Sequence, residues 1–159
     1  MPQAGVIDGY AFARAGESVA GKLTLAELPR LADSGCTSAE VSFSILGGMN
    51  ARGKPSLVVS AAGRVELTCQ RCLEPVSEPI EIESELELSA DEVEIATAED
   101  DVDRVLAGEA MNVAALVEDE ILLAMPMAPK HESCRVRSDE GSNAKRSPFA
   151  SLAALKKDH

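Results

Sequence analysis

The residues best suited to chemistry are cysteines, two of which form the segment Cys69-Gln-Arg-Cys72. A CxxC spacing places two thiolates on one tight turn, which is half of a tetrahedral zinc site. His131 and Cys134 could supply the other half and complete a Cys3His set. They follow the CxxC by about sixty residues, whereas a contiguous finger has a spacing of about 12–20. These four residues are therefore candidate zinc ligands that only the fold could bring together.

Two other interpretations of the cysteines stay open. Cys69 and Cys72 could be reduced, unligated thiols at a hairpin end, with Cys134 unrelated to them. A redox role is the least favoured interpretation, because the CxxC lacks the strand-to-helix setting of thioredoxin-like motifs. A disulfide framework is not expected in a cytosolic chain. The isolated Cys36 is typical of a small buried apolar residue.

Few other residues offer catalytic chemistry. The chain has two histidines, His131 and the terminal His159, and contains neither a glycine-rich phosphate loop nor an HExxH motif. A metal-dependent nuclease built on the acidic residues stays an alternative, which cleavage of precursor RNA in the presence of magnesium would reveal. We therefore expect a protein that is not an enzyme and has no small-molecule substrate.

The net charge of −12 limits how this protein could contact RNA. Generic affinity for nucleic acid comes from Lys and Arg side chains that neutralise phosphates, so an acidic chain is repelled on average. Contact with RNA would need a local basic patch, and a basic protein is an electrostatically natural partner. If the two cysteine segments meet in space, four basic residues near them would form such a patch: Arg71, Lys130, Arg135 and Arg137. The same residues could equally be scattered solubility charges.

Length and composition suit a single globular domain with tails. The chain has 159 residues, of which 45% are hydrophobic, and it has three Phe, one Tyr and no Trp. The core must therefore consist of Val, Ile, Leu and Ala. No segment approaches the roughly 18 apolar residues of a membrane-spanning helix, and the N-terminus lacks the features of a secretion signal. We expect a cytoplasmic protein with no membrane partner.

Alternating apolar residues predict the strands that carry the CxxC. Val41, Phe43 and Ile45 alternate with serines, and residues 57–61 and 65–67 form further strand signals around a predicted turn at Ala62-Gly63. The clearest strand has an apolar face and a glutamate face: Ile80, Ile82, Leu86 and Leu88 against Glu81, Glu83, Glu85 and Glu87. Short turns between such strands favour an antiparallel β-sheet that is curled or barrel-like.

Helical spacing predicts one main packed helix after this sheet, and hence an α+β fold. Asn112 is a good N-cap, and Pro126 ends the pattern. Glu120 lies close to the apolar stripe, so we expect its carboxylate on a solvated face, at the edge of the interface or paired with a basic group. A shorter helix is indicated within residues 23–32, although Pro29 weakens it.

The chain divides into a domain and a tail. Residues 1–134 form one α+β domain, in which residues 89–110 are read as a mobile acidic loop. Residues 135–146 resemble a linker, and residues 147–157 are expected to form a short amphipathic C-terminal helix. This helix could fold back on the domain or dock on a partner through its apolar stripe and first-turn proline: Pro148, Phe149, Leu152 and Leu155.

Three motifs, in this order and at matching distances, resemble the YceD family. They are Glu66-Leu-Thr-Cys-Gln-Arg-Cys72, Leu116-Val-Glu-Asp-Glu-Ile-Leu-Leu-Ala-Met-Pro126 and Ser147-Pro-Phe-Ala-Ser-Leu-Ala-Ala-Leu-Lys156. The resemblance is clearest over residues 41–126 and resumes at the C-terminal helix. Longer members of the family look as though they carry a second complete CxxC pair after the helix. This chain departs from that pattern, since it has only His131 and Cys134 there.

The resemblance implies a bacterial factor that supports synthesis, processing or stability of the large-subunit ribosomal RNA. Its expected partner is that RNA or a basic large-subunit ribosomal protein. The alternative is a zinc-stabilised adaptor that binds a non-ribosomal partner and affects ribosomal RNA indirectly. Enrichment with large-subunit precursors on co-purification is expected only for the ribosome factor.

Overall fold

The computed structural model describes residues 5–136, which form an α+β fold. The elements follow in the order β1 (Val6–Ile7), α1 (Gly9–Ala15), β2 (Ser18–Thr24), a 3-10 turn (Leu25–Glu27), α2 (Pro29–Asp33), β3 (Ser38–Met49), β4 (Pro55–Thr68), β5 (Pro75–Ser89), α3 (Glu92–Thr97), β6 (Arg104–Leu106), β7 (Met111–Asn112) and α4 (Val113–Ala124). The predicted α+β class is therefore confirmed. Within residues 5–136, no helix is long and apolar enough to cross a lipid bilayer.

A five-stranded sheet of order β2-β3-β4-β5-β6 forms the centre of the fold. Its first four strands are antiparallel, but β6 runs parallel to β5. The sheet is therefore mixed, and the expectation of a purely antiparallel sheet is wrong. It is also open in the described part of the chain, with β2 and β6 at its edges, so a curled or barrel-like closure is not confirmed. The parallel strand was missed because its three residues are too few for a period.

Strand alternation follows the apolar pattern of the sequence. Phe43 lies opposite Ala61, which in turn lies opposite Ile82, so one face of the sheet collects the apolar side chains. The opposite face carries serines and the exposed glutamates Glu81, Glu83 and Glu85. Because side chains alternate with a period of two, a register shift of one residue would move the apolar set into water.

The predicted turn at Ala62-Gly63 is wrong, because β4 runs uninterrupted from Pro55 to Thr68. Gly63 lies within this strand, where a Cβ atom would collide with the backbone of Glu40 and Val41 on β3. The glycine therefore marks a close approach between two strands. A glycine within a strand pattern can mark either a bend or a close approach of another backbone. The sequence alone could not distinguish these two possibilities.

Helix α4 packs on β4 and β5 and is confirmed at both ends. The Asn112 side chain accepts a hydrogen bond from the Ala115 amide at 3.0 Å, and the helix ends at Ala124, before Pro126. Its apolar face is fully buried at Val113, Val117 and Ile121.

The N-terminal part contains more regular structure than the sequence indicates. Residues 5–24 hold β1, α1 and β2, and α1 begins where the Asp8 carboxylate accepts a hydrogen bond from the Ala11 amide at 2.9 Å. The helix expected within residues 23–32 is divided into the 3-10 turn and α2, whose first residue is Pro29. Proline is accommodated there because the first turn of a helix needs no N–H donor.

The acidic segment, residues 89–110, contains α3 and β6, and ion pairs tie it to the sheet. Arg104 is bonded to Asp100 and to the buried Glu87, and Arg52 in the β3–β4 turn also contacts Asp100. The mobility of this segment and the domain boundaries stay predictions. Most of the expected linker and all of the expected C-terminal helix, with Pro148, Phe149, Leu152 and Leu155, lie outside the described residues.

The Glu118 side chain of α4 links this helix to α2, which lies far from it in the sequence. This side chain is 3% exposed and accepts hydrogen bonds from Arg30 Nε and from the Leu31 amide, each at 2.9 Å. The basic partner considered for Glu120 is therefore found at Glu118 instead. Glu120 is buried as well, so the solvated face expected for Glu120 is wrong.

Replacement of Glu118 should destabilise the fold. Glu118→Ala leaves the buried Leu31 amide without its acceptor and removes the ion pair, so we expect a loss of about 2–4 kcal/mol in the free energy of unfolding. Glu83→Ala removes the same charge from an exposed strand position and should change that free energy by less than about 0.5 kcal/mol. Urea denaturation followed by circular dichroism measures both, and equal effects would contradict the structural role of Glu118.

Candidate metal centre

The CxxC lies in the turn that connects β4 to β5. The Cys69 amide donates to the Glu74 carbonyl at 2.9 Å, and the Leu73 amide donates to the Cys69 carbonyl at 2.9 Å. Leu73 has a φ of 63°, a left-handed conformation that bulky residues rarely adopt. These bonds curl the turn so that both thiols point to the same side.

The segment after α4 returns to this turn. Two prolines, Pro126 and Pro129, prevent the helix from continuing, and the Gln70 amide donates to the Pro129 carbonyl at 2.8 Å. His131 and Cys134 follow directly. The long separation in sequence is thus bridged by α4, which packs on β4 and β5 and ends near the CxxC turn.

Four donor atoms converge at this point. The donor atoms of Cys69, Cys72, His131 and Cys134 all lie within 4.8 Å of one another. The Sγ atoms of Cys69 and Cys134 are 3.7 Å apart, and Cys72 Sγ is 3.3 Å from His131 Nδ1. A tetrahedron with metal–sulfur bonds of about 2.3 Å has edges of about 3.8 Å between sulfurs. The four side chains therefore fit a tetrahedral ion and could bind a metal such as zinc.

A backbone contact fixes the orientation of the imidazole. His131 Nε2 lies 2.9 Å from the Pro75 carbonyl oxygen, which can only accept a hydrogen bond. The proton is therefore on Nε2, and the lone pair of Nδ1 faces the sulfurs. Histidine ligands of metals are commonly oriented in this way by their second nitrogen. The backbone carbonyls of Pro75 and Pro129 help to position the site, and no signal in the sequence indicated either of them.

The electrostatics favour a thiolate at Cys69. Burial acts to raise its pKa, but backbone hydrogen bonding at Cys72, Arg71 and His131 outweighs it and lowers the pKa of Cys69 to about 5. The Arg71 amide lies 3.4 Å from the sulfur. The pKa of Cys134 is raised by its burial and by the neighbouring thiols of Cys69 and Cys72. Because a cysteine binds a metal as the thiolate, the lowered pKa favours Cys69 as a metal ligand.

The arrangement suits a structural rather than a catalytic metal site. Four protein donors complete a tetrahedral shell and leave no position open for a substrate. Cys69 is fully buried, and the other three ligands are half-buried. Cys36 is also buried but lies outside the cluster, and its thiol donates to the Ser38 carbonyl at 3.1 Å. The interpretation of Cys36 as a small buried residue is confirmed.

Basic residues flank the cluster. Arg71 belongs to the CxxC turn and lies 3.4 Å from the Cys134 carbonyl oxygen through its Nη1 atom. Lys130 and Arg135 are exposed on either side of His131 and Cys134. The structure thus brings three of the four singled-out basic residues to the cysteine cluster, whereas Arg137 lies outside the described residues. Their role in binding stays a prediction.

Comparison with known proteins identifies one family. The family model described as "Large ribosomal RNA subunit accumulation protein YceD" matches residues 57–156. This range includes the CxxC turn, α4 and the segment that carries His131 and Cys134. No curated protein and no solved structure matches the chain. The resemblance seen in the sequence motifs is confirmed, and the chain belongs to the YceD family.

Proposed function

We propose that Cys69, Cys72, His131 and Cys134 hold a structural zinc ion. The proposal is supported by the tetrahedral spacing of the donors, by the orientation of the imidazole and by the lowered pKa of Cys69. The ion would join the β4–β5 turn to the segment that follows α4, in addition to the hydrogen bonds from Gln70 to Pro129 and from His131 to Pro75. Zinc of this kind contributes directly to folding free energy.

The zinc proposal predicts one ion per chain. Protein purified without chelator should contain zinc at about one equivalent, and Cys72→Ser should lose most of it, because three donors bind far more weakly than four. Elemental analysis measures the content. Cys36→Ser, a matched control outside the cluster, should retain the metal. Absence of stoichiometric metal from the unaltered protein would leave the interpretation of free thiols.

We further propose that this protein is a non-enzymatic ribosome-biogenesis factor that acts in the cytoplasm. It would support synthesis, processing or stability of the large-subunit ribosomal RNA. The observation that carries this proposal is the family match over residues 57–156, which spans the whole cysteine cluster. A closed ligand shell agrees with a binding role, since its metal would have no position for a substrate.

The distribution of charge suggests which end of the molecule faces the ribosome. Arg71, Lys130 and Arg135 lie in the two segments of the cysteine cluster and outnumber the exposed Glu74 and Glu132 there, whereas exposed glutamates cover the outer face of β5. Phosphates are attracted by the first group and repelled by the second. We therefore propose that the cysteine end contacts large-subunit ribosomal RNA, or an RNA-bound basic ribosomal protein, while the acidic face stays turned away.

Deletion of the gene should lower the ratio of large- to small-subunit ribosomal RNA. The small-subunit RNA is an internal control, because a general growth defect would lower both species together. Quantified total RNA and sucrose-gradient profiles of the subunits measure the effect, and expression of the unaltered gene should restore the ratio. An unchanged ratio would refute the ribosomal role.

Charge reversal should identify the contact surface. The double variant Arg71→Glu/Arg135→Glu should associate with large-subunit precursors at least about tenfold more weakly, because it replaces attraction to phosphates by repulsion. Lys22→Glu/Arg64→Glu makes the same charge change on the outer face of the sheet and should have little effect. Co-sedimentation at two salt concentrations measures both variants. Equal association would remove the patch from the proposal.

A further inference from the structure

A groove lies between α4 and the edge strand β6, apart from the cysteine cluster. Its floor and walls enclose about 340 Å³ between Leu86 of β5, Val105 of β6 and the outer residues of α4. A second cavity of about 270 Å³ shares Val105, Leu116 and Asp119 with it and extends the groove towards β7. Together they form one depression beside the open edge of the sheet.

The rim of this groove exposes apolar side chains. Leu123 on α4 is 81% exposed, and Leu106 on β6 is 43% exposed. Leu116 and Leu86 are buried beneath them. Large exposed leucines beside a lined depression are typical of a surface that another polypeptide covers.

Glu120 projects into this apolar surface without a partner. Its residue is only 8% exposed, yet its carboxylate makes no hydrogen bond within residues 5–136 and no ion pair within 4.0 Å there. In the same part of the chain, every fully buried side-chain oxygen or nitrogen has a partner. The Glu120 oxygens must therefore reach open space, and the groove that Glu120 lines is where they do so.

The other charges of the groove are already neutralised within the fold. Arg104 also lines it, but its Nε atom is bonded to Glu87 and both Nη atoms are bonded to Asp100. Asp119 is paired with Arg30. The described residues therefore leave Glu120 as the single unpaired charge of the groove, and its carboxylate reaches an opening lined mainly by leucines.

We propose that this groove binds a segment of a partner protein in which a Lys or Arg side chain is flanked by apolar residues. The cation would pair with Glu120, and the apolar neighbours would cover Leu123 and Leu106. A cationic side chain fits because it supplies the positive charge that no described residue provides for the Glu120 carboxylate. A charge-assisted hydrogen bond in apolar surroundings is strong. RNA does not fit, because its phosphates would approach an unpaired carboxylate.

The proposal does not rest on the ribosomal role, since it follows from the shape and charge of the groove. Binding of a peptide at Glu120 would support it even if ribosomal RNA levels proved independent of this protein. Conversely, failure of the peptide experiment would leave the ribosomal RNA experiment unaffected.

The test is selection of displayed random dodecapeptides on the immobilised full-length chain. We expect enriched peptides to carry Lys or Arg next to Leu, Ile, Val or Phe. Fluorescence polarisation then measures their affinity for the unaltered chain and for Glu120→Gln. The variant should bind at least about tenfold more weakly, because one member of a desolvated ion pair is neutralised. Replacement of the peptide cation by norleucine should weaken binding to the unaltered chain and not to Glu120→Gln.

Two further variants separate binding from folding. Glu83→Gln makes the same charge change on the outer face of β5 and should bind the peptides as the unaltered chain does. Leu123→Ser alters an exposed position, so it should keep the fold, as judged by circular dichroism, and still weaken binding.

Several outcomes would overturn the proposal. These are the absence of a cationic and apolar consensus, equal affinity for Glu120→Gln, and competition by oligouridylate for the same site. Nuclear Overhauser contacts between Leu123 and Phe149 in the free chain would also overturn it, because they would assign the groove to the C-terminal residues of this protein.

Discussion

The packing of α4 against β4 and β5 is the constraint on which the other features depend. Each of its fully buried side chains, Val113, Val117 and Ile121, contributes about 1.5–3 kcal/mol through removal of apolar surface from water. That burial fixes the direction of the helix across the sheet. The direction in turn decides where the chain emerges after Ala124, namely beside the CxxC turn. The two distant ligand segments meet because this helix begins at the Asn112 cap, packs on the sheet and ends at Ala124.

The same helix carries two buried acids with different surroundings. Glu118 is matched by Arg30 and by the Leu31 amide, so its charge fastens α2 to α4. Glu120, two residues later, projects towards β6 and meets no cation within the described chain. Glu118 is therefore fully paired within the fold, whereas the Glu120 carboxylate opens into an apolar groove without a partner among residues 5–136. This contrast is the physical reason to connect Glu120 with an external partner.

The molecule is thus asymmetric in charge and in chemistry. One end holds the cysteine cluster, an oriented imidazole and three basic side chains with Glu74 and Glu132 near them, and the outer sheet face bears a row of glutamates. If the proposed contact with RNA is right, these basic side chains would orient the approach of an otherwise acidic protein to a phosphate-rich surface. A metal that holds the two cysteine segments together would also fix Arg71 and Arg135 relative to each other, so the site and the basic residues would act as one unit.

The local elements and the types of the candidate ligands could be predicted from the amino-acid sequence. Alternation identified the long strands, the Asn112 cap and Pro126 bounded α4, and the cysteine spacing with the motif order indicated both the candidate ligands and the family, because these signals lie within a few neighbouring residues. Gly63 could not be recognised as a close strand contact, and β6 and the partners of Glu118 and Glu120 left no periodic signal. Only the tertiary structure decided those features and the convergence of Cys69, Cys72, His131 and Cys134. The physical reason is that each depends on a contact between residues far apart in sequence, which exists only once α4 has packed on the sheet.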